Sequence, residues 1–384
     1  MRITFHTRHG LLHFVNSYLS TQAYDHGMLN LLMIILGIET SCDETAAAVV
    51  KDGQTMLSNV ILSSMDLHAQ YGGVVPEIAA RSHIEAILPV IHQALADADC
   101  TWDEIDAIAV TYGAGLGGSL LIGVLTARTL SISHEKPLYA INHVAGHVYA
   151  NFLIETGLPG YVMPNSQPKF PMLAIIVSGG HSQLVLYKNH FEYQLLGQTQ
   201  DDAIGEAFDK VAKILGLPYP GGPSVAAAAL KGRPSTFSLP KARVGKYDFS
   251  FSGLKTAVLR LAQAQIGESY DFPSTKLSER LSMAQKHDIA ASFQRVAVET
   301  IVDKAKLAFE EFAPVSVVIA GGVAASRELR RQLSQALPLD IEYPDFKLCT
   351  DNAAMIATLG CFHMKYARPT ADPYTLDIAP NLSM

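Results

Sequence analysis

The feature that most constrains the fold is a strand–turn–strand pattern that occurs twice in the chain. The first copy begins with the apolar, β-branched run Met33–Glu39, which is followed by small polar residues at 40–45 and a second apolar run, Ala46–Val50. The second copy begins about 139 residues later and has the same order of parts, Met172–Val177, Ser178–Ser182 and Gln183–Tyr187. Short apolar runs that end in small polar residues are typical of buried strands and tight turns. The repeat therefore predicts two similar α/β lobes whose turns face each other across a cleft.

Composition restricts the class of protein further. Of the 384 residues, 17% are charged and 49% are hydrophobic, whereas a typical soluble domain has about 25% charged residues. This composition excludes intrinsic disorder, and no run approaches the ~18 apolar residues of a membrane span. The composition fits an α/β protein whose strands are buried on both faces.

The length predicts about two domains of roughly 100–200 residues each. We expect lobe I to comprise residues 33–140 together with about 350–384, and lobe II to comprise residues 141–349. Residues 1–32 have no continuous apolar segment and no secretory cleavage site, so we expect an extension that is disordered or not native. The 4 cysteines form no CxxC pair, which favours a reducing compartment. We expect the cytoplasm, with the mitochondrion as the less favoured alternative.

Three Gly-Gly pairs are candidates for turns that bind phosphate. Gly179-Gly180 follows one predicted strand, Gly321-Gly322 follows another at Val315–Ala320, and Gly221-Gly222 follows Tyr219-Pro220. Turns without side chains let backbone N–H groups approach an anion. A single pair is just as typical of an ordinary turn, but three pairs favour a nucleotide cleft. The GxxxxGK[ST] pattern is absent from the sequence, which excludes a P-loop NTPase.

The pair His143 and His147 is the most specific metal signal. Residues four apart share one face of a helix, so both imidazoles can bind one ion. A third ligand is needed, and Asp351, at a predicted helix N-cap, is the best remote candidate. Two histidines at this spacing are also typical of ordinary core or solvated positions. The peptidase pattern HExxH is absent, because Val144 follows His143.

Charged residues cluster in two further segments. Asp201, Asp202, Glu206 and Asp209 fit either a solvated helix start or a carboxylate that binds a ribose hydroxyl. Residues 231–286 contain ten Lys or Arg and four acids, a charge of +6, which leaves −13 on the rest of a chain whose net charge is −7. We expect a basic helical insertion at about 231–286, which either is simply solvated or binds nucleic acid.

Taken together, the motifs resemble the tRNA N6-adenosine threonylcarbamoyltransferase family (TsaD type, formerly called O-sialoglycoprotein endopeptidase). The matching segments occur in family order: GIETSCDETA (37–46), HAQYGGVVPEIAARSH (68–83), GAGLGGSLLIGV (113–124), NHVAGH (142–147), VSGGHSQLV (177–185), DDAIGEAFDKVAKILGLPYPGGP (201–223), FSFSGLKT (249–256), DIAASFQ (288–294), IAGGVAAS (319–326) and CTDNAAMIA (349–357). The resemblance implies an α/β, duplicated actin-like ATPase fold (actin/Hsp70/sugar kinase), with two lobes around a nucleotide cleft.

The resemblance also implies a reaction. The threonylcarbamoyl group of L-threonylcarbamoyl-adenylate would pass to N6 of the adenosine at tRNA position 37, in tRNAs that read codons starting with A, and AMP would leave. It implies one divalent metal per subunit, with Fe2+ favoured over Zn2+. The partners it implies are tRNA, an inactive paralogue (TsaB-like) and a small P-loop ATPase (TsaE-like), with a homodimer as the alternative and no membrane. On this interpretation the basic segment contacts tRNA, and charge reversal at Lys241, Arg243 and Lys246 weakens binding.

Residue roles carry over by position. The resemblance makes His143, His147 and Asp351 the metal ligands and gives Asp43 and Glu44 a catalytic role in the cleft. The residues implied to bind the adenylate are Ile176, Val177, Ser178, Gly179, Gly180, Asp209, Gly222 and Ser326. Ser326 departs from the family, which usually has Asn there, so an amide that both donates and accepts is replaced by a hydroxyl.

Three alternatives remain at this point. A metallo-glycopeptidase shares the HxxxH pattern but lacks the neighbouring Glu base. A small-molecule kinase of the same fold shares the phosphate turns but gives no reason for the NHVAGH and CTDN segments. A non-catalytic nucleotide-binding paralogue lacks the metal triad that this sequence contains.

Overall fold

The structure, a computed structural model, describes residues 32–384, and the predicted extension at 1–32 lies outside the described residues except for Leu32. Two β-sheets organise the described residues. The first sheet contains β1 (Ile34–Glu39), β2 (Glu44–Lys51), β3 (Thr55–Ser63), β4 (Ala107–Gly113), β5 (Leu138–Asn142) and β6 (Glu155–Thr156). The second sheet contains β7 (Met172–Val177), β8 (Ser182–Asn189), β9 (Glu192–Gln198) and β10 (Ser316–Ala320).

The two sheets share one strand plan. In the first, β1, β2 and β3 form an antiparallel meander and β4 lies parallel to β1. In the second, β7, β8 and β9 form the same meander and β10 lies parallel to β7. The full orders are β5-β4-β1-β2-β3-β6 and β10-β7-β8-β9. This duplicated α/β plan is that of the actin/Hsp70/sugar-kinase fold, and it confirms the repeat predicted from the sequence.

Helices cover both sheets. They are α1 (Met65–Ala69), α2 (Pro76–Asp97), α3 (Gly117–Ser133), α4 (His143–Tyr149), α5 (Ile204–Leu215), α6 (Gly221–Ala229), α7 (Ser252–Gln265), α8 (Leu277–Arg280), α9 (Met283–Phe312), α10 (Arg327–Ala336) and α11 (Ala353–Lys365). Because β1 and β7 are almost entirely buried, their apolar residues face helices on both sides.

Two helices cross between the sheets. α4 follows β5 and packs against β4 and β5 of the first sheet as well as β7 and β10 of the second. α11 follows the second sheet in sequence but packs against β1, β2 and β4 of the first. α4 and α11 also contact each other. The start of α4 and the segment before α11 therefore meet between the two sheets.

Residues 33–384 form one compact unit, so the lobes are defined here by their sheets. The lobe boundaries proposed from the sequence remain predictions. No helix among the described residues is long and apolar enough to cross a membrane.

The prediction of a helical insertion at 231–286 is wrong in its first part. No helix lies between residues 231 and 251, which form turns and irregular backbone, and α7 begins only at Ser252. This part is held by side-chain contacts instead, because Asp288 accepts hydrogen bonds from Arg233 and Lys304 donates to three carbonyls at residues 244–246.

Candidate metal centre and the two turns

The three predicted metal ligands lie together. His143 begins α4, His147 follows one helical turn later, and Asp351 comes just before α11. Nε2 of His147 is 3.2 Å and Nε2 of His143 is 3.5 Å from Oδ1 of Asp351. Ligand atoms of the three side chains all lie within 4.8 Å of one another, which is a separation that one ion can bridge.

Asp351 is not the helix N-cap, contrary to the expectation from the sequence. Asn352 caps α11, since its side chain accepts a hydrogen bond from the N–H of Met355 at 3.0 Å. Its amide also donates to the carbonyls of Leu348 and Thr350. The cap one residue later leaves the Asp351 carboxylate facing the histidines.

Opposite charges shift the pKa values of this group. Burial alone would lower the pKa of His143, but Asp351 and Glu39 raise it to about 9. Burial alone would raise the pKa of Asp351, but His143 and His147 lower it to about 2. Without an ion, a protonated His143 and an ionised Asp351 therefore stabilise each other.

These residues fit a divalent metal ion. Two imidazoles and one carboxylate form a donor set that Zn2+ and Fe2+ both accept, and three protein ligands leave positions open for substrate. The Nδ1 atom of His147 is buried without a hydrogen-bond partner among the described residues, whereas Nδ1 of His143 lies 3.3 Å from a Glu39 oxygen. A carboxylate behind a ligating imidazole is the usual outer support of such sites.

The turn between β1 and β2, residues 40–43, is tightly held by its neighbours. The Ser41 carbonyl accepts from the N–H of Leu116, and the Cys42 carbonyl accepts from the Ser119 hydroxyl. The Asp43 carbonyl accepts from both the N–H and the hydroxyl of Ser64. These contacts hold the three carbonyl groups of the turn in place.

Asp43 and Glu44, the predicted catalytic residues, lie half-buried at the end of this turn. Burial, followed by the charges of Asp351 and Asp43, raises the pKa of Glu44 to about 9. The charge of the candidate metal ligand Asp351 therefore acts on the Glu44 carboxyl group.

The turn between β7 and β8, residues 178–181, is open by contrast. Added Cβ atoms at Gly179 and Gly180 would meet nothing within 4 Å. In the part of the chain that the structure describes, neither glycine N–H has a main-chain acceptor. Ser178 stabilises the turn by accepting, through its hydroxyl, from the N–H of His181.

Ile176 and Val177, two of the other predicted substrate residues, lie directly before this open turn. Ile176 and Val177 are fully buried in β7, so their side chains build the sheet, and only their backbone approaches the turn. Gly321, after β10, contacts Val177 and Ser178 closely enough that a Cβ would lie 2.5 Å from the Val177 carbonyl oxygen.

Asp209 and Gly222 lie where α5 meets α6. Oδ1 of Asp209 accepts from the N–H of Gly221 at 2.7 Å, which leaves its second oxygen for a ligand. A Cβ at Gly222 would meet nothing within 4 Å. Ser326 is the N-cap of α10, since its hydroxyl accepts from the N–H of Leu329.

Two cleft residues were not singled out from the sequence. Burial, and then the charges of His143 and His147, lower the pKa of His181 to about 4, so this imidazole is neutral beside the metal group. Burial, and then Asp209 and Asp43, raise the pKa of Tyr219 to about 12. His181 directly follows the Gly-Gly pair and Tyr219 precedes another, so proximity to these turns was the available signal.

Acidic side chains from outside residues 231–286 offset part of the positive charge of this basic segment. Lys241 pairs with Glu299 and Asp303, and Lys246 pairs with Glu311. The acidic partners belong to α9, outside residues 231–286. Arg233, Lys255 and Arg280 also have acidic partners. Among the described ion pairs, none involves the exposed residues Lys231, Arg243 and Lys276.

The fold and site define a class: a duplicated actin-like α/β protein with a His–His–Asp group where its two crossing helices meet. Comparison with known sequences narrows this class. The model of the TsaD family, described as tRNA N6-adenosine threonylcarbamoyltransferase, matches residues 55–358. The chain belongs to this family of enzymes, which are acyltransferases that modify tRNA.

Relatives that match over nearly their whole length carry the same description as the family model. A tRNA N6-adenosine threonylcarbamoyltransferase of Thermomicrobium roseum is 52% identical over 361 residues, which cover 92% of this chain and 97% of the relative. One of Dehalococcoides mccartyi is 47% identical over 353 residues, covering 92% of this chain and 99% of the relative. A solved structure, the (R)-2-hydroxyglutaryl-CoA dehydratase component A of Acidaminococcus fermentans, covers 88% of this chain and 100% of its own at 16% identity and a TM-score of 0.47. The fold assignment rests on the strand plan above. Family membership favours the transferase over the peptidase, kinase and non-catalytic alternatives.

Proposed function

We propose that the enzyme transfers the threonylcarbamoyl group from L-threonylcarbamoyl-adenylate to N6 of the adenosine at tRNA position 37, in tRNAs that read codons starting with A. The observation that carries the proposal is the open turn at residues 178–181 beside the His143, His147 and Asp351 group. Such an arrangement suits a donor with a phosphate at one end and oxygen ligands at the other.

The chain's residues divide the work. The N–H groups of Gly179 and Gly180 bind the adenylate phosphate, and Asp209 binds the ribose through its free carboxylate oxygen. The bound metal, held by His143, His147 and Asp351, supplies Lewis acidity. N6 forms a bond to the carbamoyl carbon while the bond to the phosphate oxygen breaks, and AMP leaves with the electron pair. Asp43 accepts the proton that N6 loses, and Glu44, whose raised pKa favours its protonated form, orients the acyl group.

A direct assay tests this function. The protein is incubated with threonylcarbamoyl-adenylate and unmodified tRNA, and the nucleosides are analysed by mass spectrometry. We expect threonylcarbamoyladenosine at position 37 and one AMP for each transfer. ATP and threonine given in place of the adenylate yield no product unless the separate synthase is added. Transfer without AMP release would contradict the proposed donor.

The metal is a divalent ion, and we favour Fe2+ over Zn2+. Its identity is tested by reconstituting the metal-free protein with each ion under anaerobic conditions and comparing transfer rates. Higher activity with zinc would reverse this preference.

We also propose protein partners, an inactive paralogue (TsaB-like) and a small P-loop ATPase (TsaE-like), and a cytoplasmic location. The surface that supports the paralogue is an apolar face shared by two neighbouring helices, formed by exposed Ile84 and Leu88 of α2 and Leu121 and Leu125 of α3. A paralogue of the same fold presents an equivalent two-helix face, so the two faces pack without burying charge. Leu88→Glu is expected to abolish the complex in size-exclusion chromatography, whereas a homodimer that it disrupts would identify a second copy as the occupant.

We place the tRNA interface at Lys231, Arg243 and Lys276, the exposed cations of the basic segment that take part in none of the described ion pairs. Arg243→Gln is expected to lower tRNA affinity and to reduce the slope of log affinity against log salt by about 1, as for one phosphate contact. Lys241→Gln is the matched control, because Lys241 already has two acidic partners on α9. An equal effect of both variants would show that ion pairing does not select the tRNA contacts.

A further inference from the structure

Glu39 lies directly behind the candidate metal group, although the metal-ligand pattern does not include it. Its side chain is 0% exposed at the carboxyl end of β1. Oε2 of Glu39 is 3.3 Å from Nδ1 of His143, while Nε2 of the same ring faces Asp351. The His143 imidazole therefore lies between two carboxylates, one at each ring nitrogen.

The Glu39 carboxylate is itself held in place. Its Oε1 accepts from the N–H of Ser41 at 2.5 Å, and its Oε2 accepts from the Thr111 hydroxyl. Thr111 belongs to β4, which lies parallel to β1. Two neighbouring strands thus fix the carboxylate before any ligand binds, and its position does not depend on α4.

Of the groups near Nδ1 of His143, Glu39 is the one that fixes the tautomer. The Ser41 hydroxyl also lies 3.1 Å from Nδ1, but a hydroxyl both donates and accepts. An ionised carboxylate only accepts, so Nδ1 must carry a hydrogen, and when a metal binds it is Nε2 that loses its proton and offers a lone pair. Nδ1 of His147, buried without a partner among the described residues, has no such support.

We propose that Glu39 is a positioning residue for the metal: it holds His143 in the Nδ1–H tautomer with Nε2 directed at the ion. This inference rests on the proposed metal site. The two histidines are then unequal ligands, with His143 oriented in advance and His147 oriented only by the ion. Removing an outer carboxylate of this kind typically lowers metal affinity about 10–100-fold.

The experiment measures metal binding directly. Full-length protein is stripped of metal, and its affinities for Zn2+ and Co2+ are determined by chelator competition, together with the visible absorption of the cobalt form. The variant is Glu39→Gln. The matched control is Asp106→Asn, which also changes a carboxylate to an amide on the β1–β4 pair, but at the opposite end, where Asp106 accepts from the N–H of Ile34.

Glu39→Gln is expected to weaken both affinities about 10–100-fold and to shift the cobalt absorption at full occupancy, while Asp106→Asn binds metal as the wild type does. Thr111→Val, which keeps the carboxylate and removes one of its donors, is expected to show a smaller loss in the same direction. This second variant also answers the question if Glu39→Gln does not fold.

Two outcomes would overturn the inference, and they differ in what else they affect. If wild type binds metal and Glu39→Gln and Thr111→Val bind it equally well, Glu39 has no positioning role and the metal site stands. If wild type and Asp106→Asn bind no metal, the proposed site itself is wrong.

Discussion

The turn after β1 and the turn after β7 occupy equivalent places in the two sheets, yet they leave different atoms available. In the first turn the backbone carbonyls of residues 41–43 all accept hydrogen bonds from the surrounding chain, and acidic side chains lie at positions 39, 43 and 44 in and beside the turn. In the second turn the two glycines present bare backbone N–H groups. On the proposed function, the first turn lies on the cation side of the cleft, where the metal binds, and the second turn lies on the anion side, where the phosphate binds.

On the proposed function, this arrangement lets a duplicated fold hold both ends of one substrate. Each sheet supplies a hairpin turn at its carboxyl edge, and the crossing helices α4 and α11 bring the metal ligands between the sheets. We expect the residues of the turn to determine what each copy binds, because the four-stranded plan is the same in both sheets. Substitutions at a candidate metal ligand and at the glycines of the second turn, each with a control position, test this difference.

The largest effect is expected on the cation side, from His147→Ala. Two ligands remain, and these hold a divalent ion poorly because most such sites use three or more protein ligands. We expect metal content and transfer to fall together, each by at least about 100-fold. Metal content is measured by atomic spectrometry and transfer by nucleoside analysis. The control is His92→Ala, at an exposed position of α2. If His147→Ala lacks metal but transfers at the full rate, the reaction does not require the metal.

On the anion side, Gly179→Ala is expected to raise the KM for the adenylate about tenfold or more without lowering stability. The added methyl group meets no protein atom within 4 Å, so it occupies space left for the ligand. Steady-state kinetics with varied adenylate measures the effect. Gly157→Ala, at an equally open position directly after β6, should leave the KM unchanged. An unchanged KM in both variants would show that the adenylate phosphate does not bind at this turn.

A smaller effect separates glycines that shape the second turn from glycines that leave space beside it. Gly321 has a φ of +89°, and a Cβ there would lie 2.5 Å from the Val177 carbonyl oxygen. We expect Gly321→Ala to lower the free energy of unfolding by about 2 kcal/mol in urea titrations. Gly322→Ala, where a Cβ meets nothing within 4 Å, should change it by less than about 0.5 kcal/mol. Equal losses would show that the turn is not held by close packing at Gly321.

Local sequence patterns predicted the frames of both turns well. The apolar run Met172–Val177 coincides with β7, and the run Met33–Glu39 contains β1, because a buried strand needs consecutive apolar residues bounded by turn residues. The spacing of His143 and His147 predicted their shared helix face, because residues four apart lie on the same side of a helix. These properties are local, so the sequence carries them directly.

Contacts between distant residues could not be predicted in this way. Glu39 is indistinguishable in the sequence from the end of any strand, and its partner His143 is 104 residues away. The charge of residues 231–286 was misleading because its acidic counterparts lie 58–65 residues further on, along α9. The cap of α11 was misplaced by one residue, because Asp and Asn are both favoured N-caps and stand side by side.

The smallest expected effect concerns the contact between the helix of the metal ligands and the second sheet. The Tyr149 hydroxyl of α4 lies 3.0 Å from Nδ1 of His190, in the turn between β8 and β9.

Two histidines in this region have lowered pKa values. Burial, and then the charge of Lys365, lower the pKa of His190 to about 4. Burial, and then the charge of Arg368, lower the pKa of His363 to about 4. The unfolded chain takes up these protons near pH 6.5 and the folded chain only near pH 4, so stability is lost as pH falls through that window. Allowing for solvent screening, we expect these two histidines to contribute a loss of about 1–2 kcal/mol between pH 7 and pH 4.5, beside the contribution of His181, measured by urea unfolding. His190→Gln, which keeps a hydrogen-bonding side chain but does not titrate, should lose less stability over the same window. If wild type and variant respond identically to pH, the contact between α4 and the second sheet does not titrate through His190.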